Sequence, residues 1–193
     1  MNDSHSIVLY HTGFAEIRQP DIRYGRKNAD FGQGFYLSDD GEFSRRWART
    51  RKGCDTIVNA YALSLEGLRV KRFLRDAAWY DYIFANRAGR ADSLAEYDVI
   101  VGPIANDTLY DTWGILTSGL LKREVSLRLL CGGPEYAQTV IKTERAAAQL
   151  FWRSAYTLSP EELEAGRAAV RREEAAYQAF IAKELGDTMD ILK

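Results

Sequence analysis

Apolar positions in this chain recur with two periods, and the places where one period gives way to the other mark its elements. Ile7-Val8-Leu9-Tyr10-His11 is a short unbroken apolar run closed by a histidine. Little in it alternates, which predicts a first strand buried on both sides and central in its sheet. Phe35-Tyr36-Leu37 follows Gly32 and Gly34 directly and suits a pleated, half-buried surface. Residues 56–63 alternate and are rich in β-formers, with 65–70 extending that strand after a turn, and 97–104 reads as a buried strand stopped by Gly102-Pro103. Residues 139–143 form the last strand of the set.

Helical spacing covers 42–51, with Phe43 and Trp47 four apart on one face, then 74–88 and 120–130. Asn106-Asp107 offers N-cap chemistry for a helix through Tyr110, Trp113 and Leu116, and a further helix is predicted over 144–152. Residues 14–29 read as loop or short helix, broken at Pro20 and Gly25, and Cys131-Gly132-Gly133-Pro134 is a definite break. The tail opens with Ser159 as N-cap, Pro160 behind it and Glu162 placed to close a capping box. Leu163, Val170 and Tyr177 then recur at sevens, followed by Phe180, Ile181 and Leu185. A long amphipathic helix over 161–185 is expected, packed on its own domain or presented to a partner.

Composition narrows the class. Of 193 residues 46% are hydrophobic and 27% charged, enough for one packed domain with an appended helix. A net charge of −1 argues against a broad basic face for nucleic acid. The cluster Arg45, Arg46, Arg49, Arg51 and Lys52 is either a local patch able to meet RNA or a solvated helix face. Two cysteines, Cys54 and Cys131, and two histidines give no zinc set, so buried reduced thiols and no metal are expected. The polar N-terminus lacks a signal-peptide core, and no apolar run approaches the ~18 residues of a membrane span. A soluble cytoplasmic protein without a membrane partner is the expectation.

The stretch with most chemical content is Asp30-Phe31-Gly32-Gln33-Gly34-Phe35-Tyr36-Leu37-Ser38, continued to Trp47. Its glycines permit a tight turn or a close approach to a ligand. Tyr36 at a strand end and Trp47 on the following helix can face each other across that gap and hold a flat heterocycle, although aromatics beside a glycine turn also serve as ordinary core. His11, closing the first strand, is either a histidine bound to a backbone carbonyl or a functional group.

These residues carry a resemblance. The segment from Phe31 to Asp39 looks like the phenylalanine-glycine-lysine-glycine-isoleucine-tyrosine segment of poly(ADP-ribose) polymerase catalytic domains, and Leu9-Tyr10-His11-Thr12-Gly13 resembles the strand that opens them. The whole pattern is similar to the bacterial DUF3990 family, placed in the ADP-ribosyltransferase superfamily, whose type also includes diphtheria-toxin-like domains. The resemblance covers residues 7–152. It implies an α+β fold: two small facing antiparallel sheets around an NAD cleft, peripheral helices, and a long C-terminal helix. Residues 1–152 would be the catalytic unit and 153–193 the appended helix.

By the same resemblance NAD is the cofactor, used as substrate, with no metal. His11 would hold the adenosine ribose, Thr12 and Gly13 the nicotinamide amide, and Gly34 would line the approach. Tyr36 and Trp47 would stack on the nicotinamide ring. Arg23 or Arg26 would reach the pyrophosphate, or belong to a solvated loop. Gln138 falls where these transferases carry a catalytic glutamate. It can bond a ribose hydroxyl but bears no charge and cannot act as a base. Glu135, three residues upstream, would deprotonate the acceptor or remain a solvated carboxylate. The implied activity is mono-ADP-ribosyl transfer from NAD to a macromolecule, protein or RNA/DNA, in a toxin held by a co-encoded antitoxin partner. The alternatives are an NAD glycohydrolase and a silent NAD- or ADP-ribose-binding module. On this reading Gln138→Glu retains activity.

Overall fold

The computed structural model describes residues 6–105, 123–132 and 135–191, so the helix expected through Tyr110, Trp113 and Leu116 lies outside the described residues. The architecture is α+β. One sheet of three strands has the order β1-β3-β7, with β1 Ser6–Gly13, β3 Ile57–Ser64 and β7 Leu150–Thr157, all antiparallel. The second has four strands in the order β2-β6-β5-β4: β2 Phe35–Leu37, β6 Ala137–Ile141, β5 Val99–Pro103 and β4 Val70–Arg72. The helices are α1 Gly41–Arg46, α2 Ala77–Arg87, α3 Arg123–Cys131, α4 Glu144–Ala147 and α5 Pro160–Ile191, with a 3₁₀ turn at Ile22–Tyr24.

The second sheet sits between two cores, which is why Val99-Ile100-Val101 of β5 reads as a continuous apolar run. Along each strand alternate residues face opposite sides. Val99 and Ile141 join Leu9, Phe35, Leu37, Tyr61, Leu63 and Leu150 in the core between the sheets, whereas Ile100 and Val140 meet Trp79, Ile83, Leu129, Tyr177 and Ile181 beneath the helices. The tail helix therefore packs on its own domain. Tyr177 donates its hydroxyl to the Leu129 carbonyl at 2.7 Å, and Gly132 admits the Phe180 ring at a distance no Cβ would allow. The N-terminus of α5 forms the expected capping box: Ser159 N–H donates to Glu162 Oε2 (2.8 Å) and Glu162 N–H to Ser159 Oγ (3.2 Å).

Four expectations are corrected. The second sheet is mixed, because β4 and β5 are parallel and α2 supplies the crossover that parallel strands need. Residues 65–70 accordingly lead into β4 of the other sheet and do not extend β3. β1 ends the hydrogen-bonding order of its sheet, with Val8 51% exposed; on its other side an antiparallel bridge joins Tyr10 and Ser38. The helix expected over 144–152 stops at Ala147, and residues from Leu150 form β7, paired with β3. Strand β7 thus runs straight through position 152.

Candidate functional site

Two short-range features and one longer tie build the mouth of a cleft. At Gly32 the backbone takes φ +73, turning the chain into β2, and the turn is held when Tyr36 donates its hydroxyl to Gly32 O at 2.6 Å and accepts from Phe31 N–H at 3.0 Å. Asp40 caps α1 by accepting from Phe43 N–H at 2.9 Å, and Trp47 stands at the helix C-cap. Thr12 donates to Ser44 O at 2.9 Å and so ties β1 to α1.

His11, Thr12, Tyr36, Trp47 and Gln138 line one cavity of about 200 Å³, with Tyr10, Leu37, Ser38, Phe43, Ser44 and Ile104 completing the wall. The side chains come from β1, β2, α1 and β6, from both sheets. His11 Nδ1 lies 2.8 Å from the Tyr36 carbonyl, which can only accept, so Nδ1 carries the proton and Nε2 is left with its lone pair. Burial holds the imidazole below its ordinary pKa; the bond to Tyr36 pulls the other way, less strongly. Burial pushes the Tyr36 phenol far above its ordinary range, and with the hydroxyl committed to the Gly32 turn its ring is what remains to contact a ligand. No ring contact joins Tyr36 to Trp47 among the described residues; Trp47 leans on Phe43 at 5.9 Å, and Phe43 on Tyr136 at 4.5 Å. The Trp47 Nε1–H is buried without a hydrogen-bond partner.

Gln138 is buried, its Nε2 3.2 Å from Asp30 Oδ2 and 3.4 Å from Pro103 O. Asp30 is itself buried and ion-paired with Arg87, whose Nε lies 2.8 Å from Oδ1. Asp30 opens the glycine-containing stretch, yet no motif in the sequence marks it as part of a site. Its partners are 57 and 108 residues away, and nothing local signals them.

Other expected residues lie elsewhere. Arg23 is exposed and pairs with Asp21 at 3.1 Å, and Arg26 is exposed; neither lines the cavity. Glu135 is exposed and outside the lining. Gly13 sits beside it, a Cβ there falling 3.5 Å from His11 Nε2. Gly34 owes its lack of a side chain to β6, since a Cβ would lie 2.6 Å from Ile141 O. The basic run is not one helix face, because α1 ends at Arg46. Arg45 is engaged with Glu42 and Tyr156, and Arg46 with Glu173 on α5 and with Tyr136. Cys54 is exposed rather than buried, on the turn bridged by Arg51; Cys131 is partly buried, and both are free thiols.

The fold and cleft define an α+β protein whose two sheets meet at a small, mixed aromatic and polar cavity. The chain belongs to the DUF3990 family, described as "Protein of unknown function (DUF3990)", which matches residues 7–152. No curated protein and no solved structure matches it. Among the described residues no helix is long and apolar enough to cross a membrane, and no group of three or more metal-ligating side chains is present.

Proposed function

We propose that this protein binds NAD in the cleft and transfers ADP-ribose to a macromolecular acceptor, protein or nucleic acid, as a toxin-like mono-ADP-ribosyltransferase of the superfamily its motifs resemble. The observation that carries the reading is the convergence of His11, Thr12, Tyr36, Trp47 and Gln138 on one cavity from distant parts of the chain. At about 200 Å³ it is smaller than the ~300–1,000 Å³ of pockets that enclose drug-sized ligands, so it suits the nicotinamide riboside end while the rest of the dinucleotide runs outward.

In this reaction the bond between ribose C1′ and the nicotinamide nitrogen breaks, and its electron pair leaves with nicotinamide. The cation left on the ribose is oxocarbenium-like, and a lone pair of the acceptor bonds to C1′ as the acceptor releases a proton. The chain's part is to position and desolvate. The neutral His11 accepts a ribose hydroxyl at Nε2, the Tyr36 ring and the Trp47 indole flank the nicotinamide, and Gln138 accepts the hydroxyl next to C1′. No carboxylate lines the wall, His11 Nε2 is taken up by the ribose hydroxyl, and Glu135 stands outside, so proton removal falls to the acceptor's own surroundings.

The test is release of nicotinamide from NAD with and without cell lysate, together with mass spectrometry of lysate components exposed to labelled NAD. Release that needs lysate and labels a macromolecule supports transfer; release without it assigns a glycohydrolase, and binding without release a silent module. His11→Ala and Tyr36→Ala should each abolish release. Full activity in both would remove the cleft from the reaction.

A further inference from the structure

We propose that Asp30 is the positioning residue for Gln138: its buried carboxylate holds the carboxamide nitrogen, so that the cleft meets only the carbonyl oxygen and selects a ligand with a hydroxyl to donate. This rests on the reading of the cleft as a nicotinamide riboside site.

Both groups within reach of Gln138 Nε2 are pure acceptors, the carboxylate of Asp30 at 3.2 Å and the carbonyl of Pro103 at 3.4 Å. A flipped amide would set its oxygen against both, so one orientation is strongly selected. Asp30 cannot turn away to relieve that. Arg87 grips Oδ1 through Nε and a second guanidinium nitrogen, Ala105 N–H lies 3.3 Å from Oδ2, and Asn86 Nδ2 donates to the Asp30 carbonyl at 3.2 Å. The ion pair is almost wholly enclosed, with the Arg87 side chain 3% and the Asp30 side chain 11% exposed. A hydrogen bond to a charged acceptor is about twice as strong as a neutral one, and in a low-dielectric setting such bonds polarise the next. The negative charge is therefore delivered from behind the amide.

This reverses an expectation drawn from the motif. Gln138→Glu would press a second carboxylate against Asp30 at hydrogen-bonding distance, with Arg87 shared between them. Two such anions resist simultaneous ionisation. The charge of the superfamily's glutamate and the charge of Asp30 are alternatives at this site.

The experiment compares full-length wild type, Asp30→Asn, Gln138→Glu and the double variant Asp30→Asn/Gln138→Glu at pH 8. Thermal unfolding is followed alongside calorimetric binding of NAD and of its analogue lacking the 2′-hydroxyl on the nicotinamide ribose. Gln138→Glu should lower Tm by on the order of 10 °C, and the double variant should recover at least half of the loss. Wild type should prefer NAD over the deoxy analogue about tenfold, the equivalent of one good hydrogen bond, and Asp30→Asn should bring that ratio towards one. A purely structural Asp30 would lower Tm and leave the ratio intact, which overturns the proposal. So does a Gln138→Glu protein as stable as wild type, or a double variant that recovers nothing. If wild type binds neither dinucleotide, the ADP-ribosyl reading and the hydroxyl selection both fall, while the unfolding data still decide whether Asp30 and Gln138 are coupled.

Discussion

Replacing Gly34 by alanine separates two meanings of a glycine in this motif. If it is there for a ligand, a methyl group weakens binding and leaves the fold alone. The geometry indicates the other case: the added Cβ would fall 2.6 Å from both Ile141 O and Val140 Cγ1, about 0.8 Å inside ordinary contact. Strand β2 cannot simply retreat, because the Gly34 carbonyl is already so close to Gly25 that a Cβ on Gly25 would lie 2.3 Å from it. Overpacking of this kind costs ~1–3 kcal/mol, and loosening the β2–β6 ladder adds ~1 kcal/mol per hydrogen bond lost. We expect a loss of about 3 kcal/mol, or a fall in Tm of roughly 6–12 °C for a chain of this size. Urea unfolding monitored by tryptophan fluorescence measures it directly. Unchanged stability together with lost NAD binding would refute the argument and return Gly34 to the ligand.

Asn59 is fully buried and bonds three groups: its Oδ1 accepts from Ile17 N–H (2.9 Å) and Trp152 Nε1–H (3.3 Å), and its Nδ2 donates to Ala15 O (3.0 Å). Asn59→Ala should cost about 2 kcal/mol, since it removes three hydrogen bonds made by one fully buried side chain to partners that are themselves only partly screened from water; a urea midpoint within error of wild type would contradict this. His11 has a depressed pKa in the folded state, so below ~6.5 the unfolded chain takes up a proton that the site resists. Its contribution to stability is complete above ~6.5 and is lost as pH falls from there towards the folded pKa. His11→Asn, which keeps a donor for the Tyr36 carbonyl, should show a smaller drop in Tm on acidification from about pH 7.5 to 5.5; an equal drop would point to other groups. Glu173→Ala removes the acceptor shared by Arg46 and by the Tyr136 hydroxyl at 2.9 Å, which holds α1 against α5. A loss of ~1–2 kcal/mol is expected, with weaker NAD binding because α1 carries the Trp47 wall; calorimetry showing unchanged affinity would detach α5 from the cleft.

Much of this protein is legible along the chain because the governing interactions are local or periodic. The capping box at Ser159 and Glu162 needs neighbours three residues apart, the Gly32 turn needs only the freedom of one residue, and the apolar run of β5 announces burial on both faces. The order His11, Tyr36, Trp47, Gln138 is likewise present in the sequence, and the cavity brings those four together. What the fold decided has partners far apart. An alanine-rich start made 144–152 read as helix, yet its second half pairs with β3 some ninety residues away, and that pairing outweighs helix propensity. Val8 looks like core, but it stands half exposed. Arg45 and Arg46 look like a patch for an anion and are instead bonded to Glu42 and Glu173. Asp30 stands in the most informative stretch of the chain, and its meaning appears only when α2 brings Arg87 and β6 brings Gln138 to the same few ångströms. Burial then turns an ordinary aspartate into the charge that orients the cleft, because a carboxylate cut off from water must be answered by whatever donors the tertiary structure sets beside it.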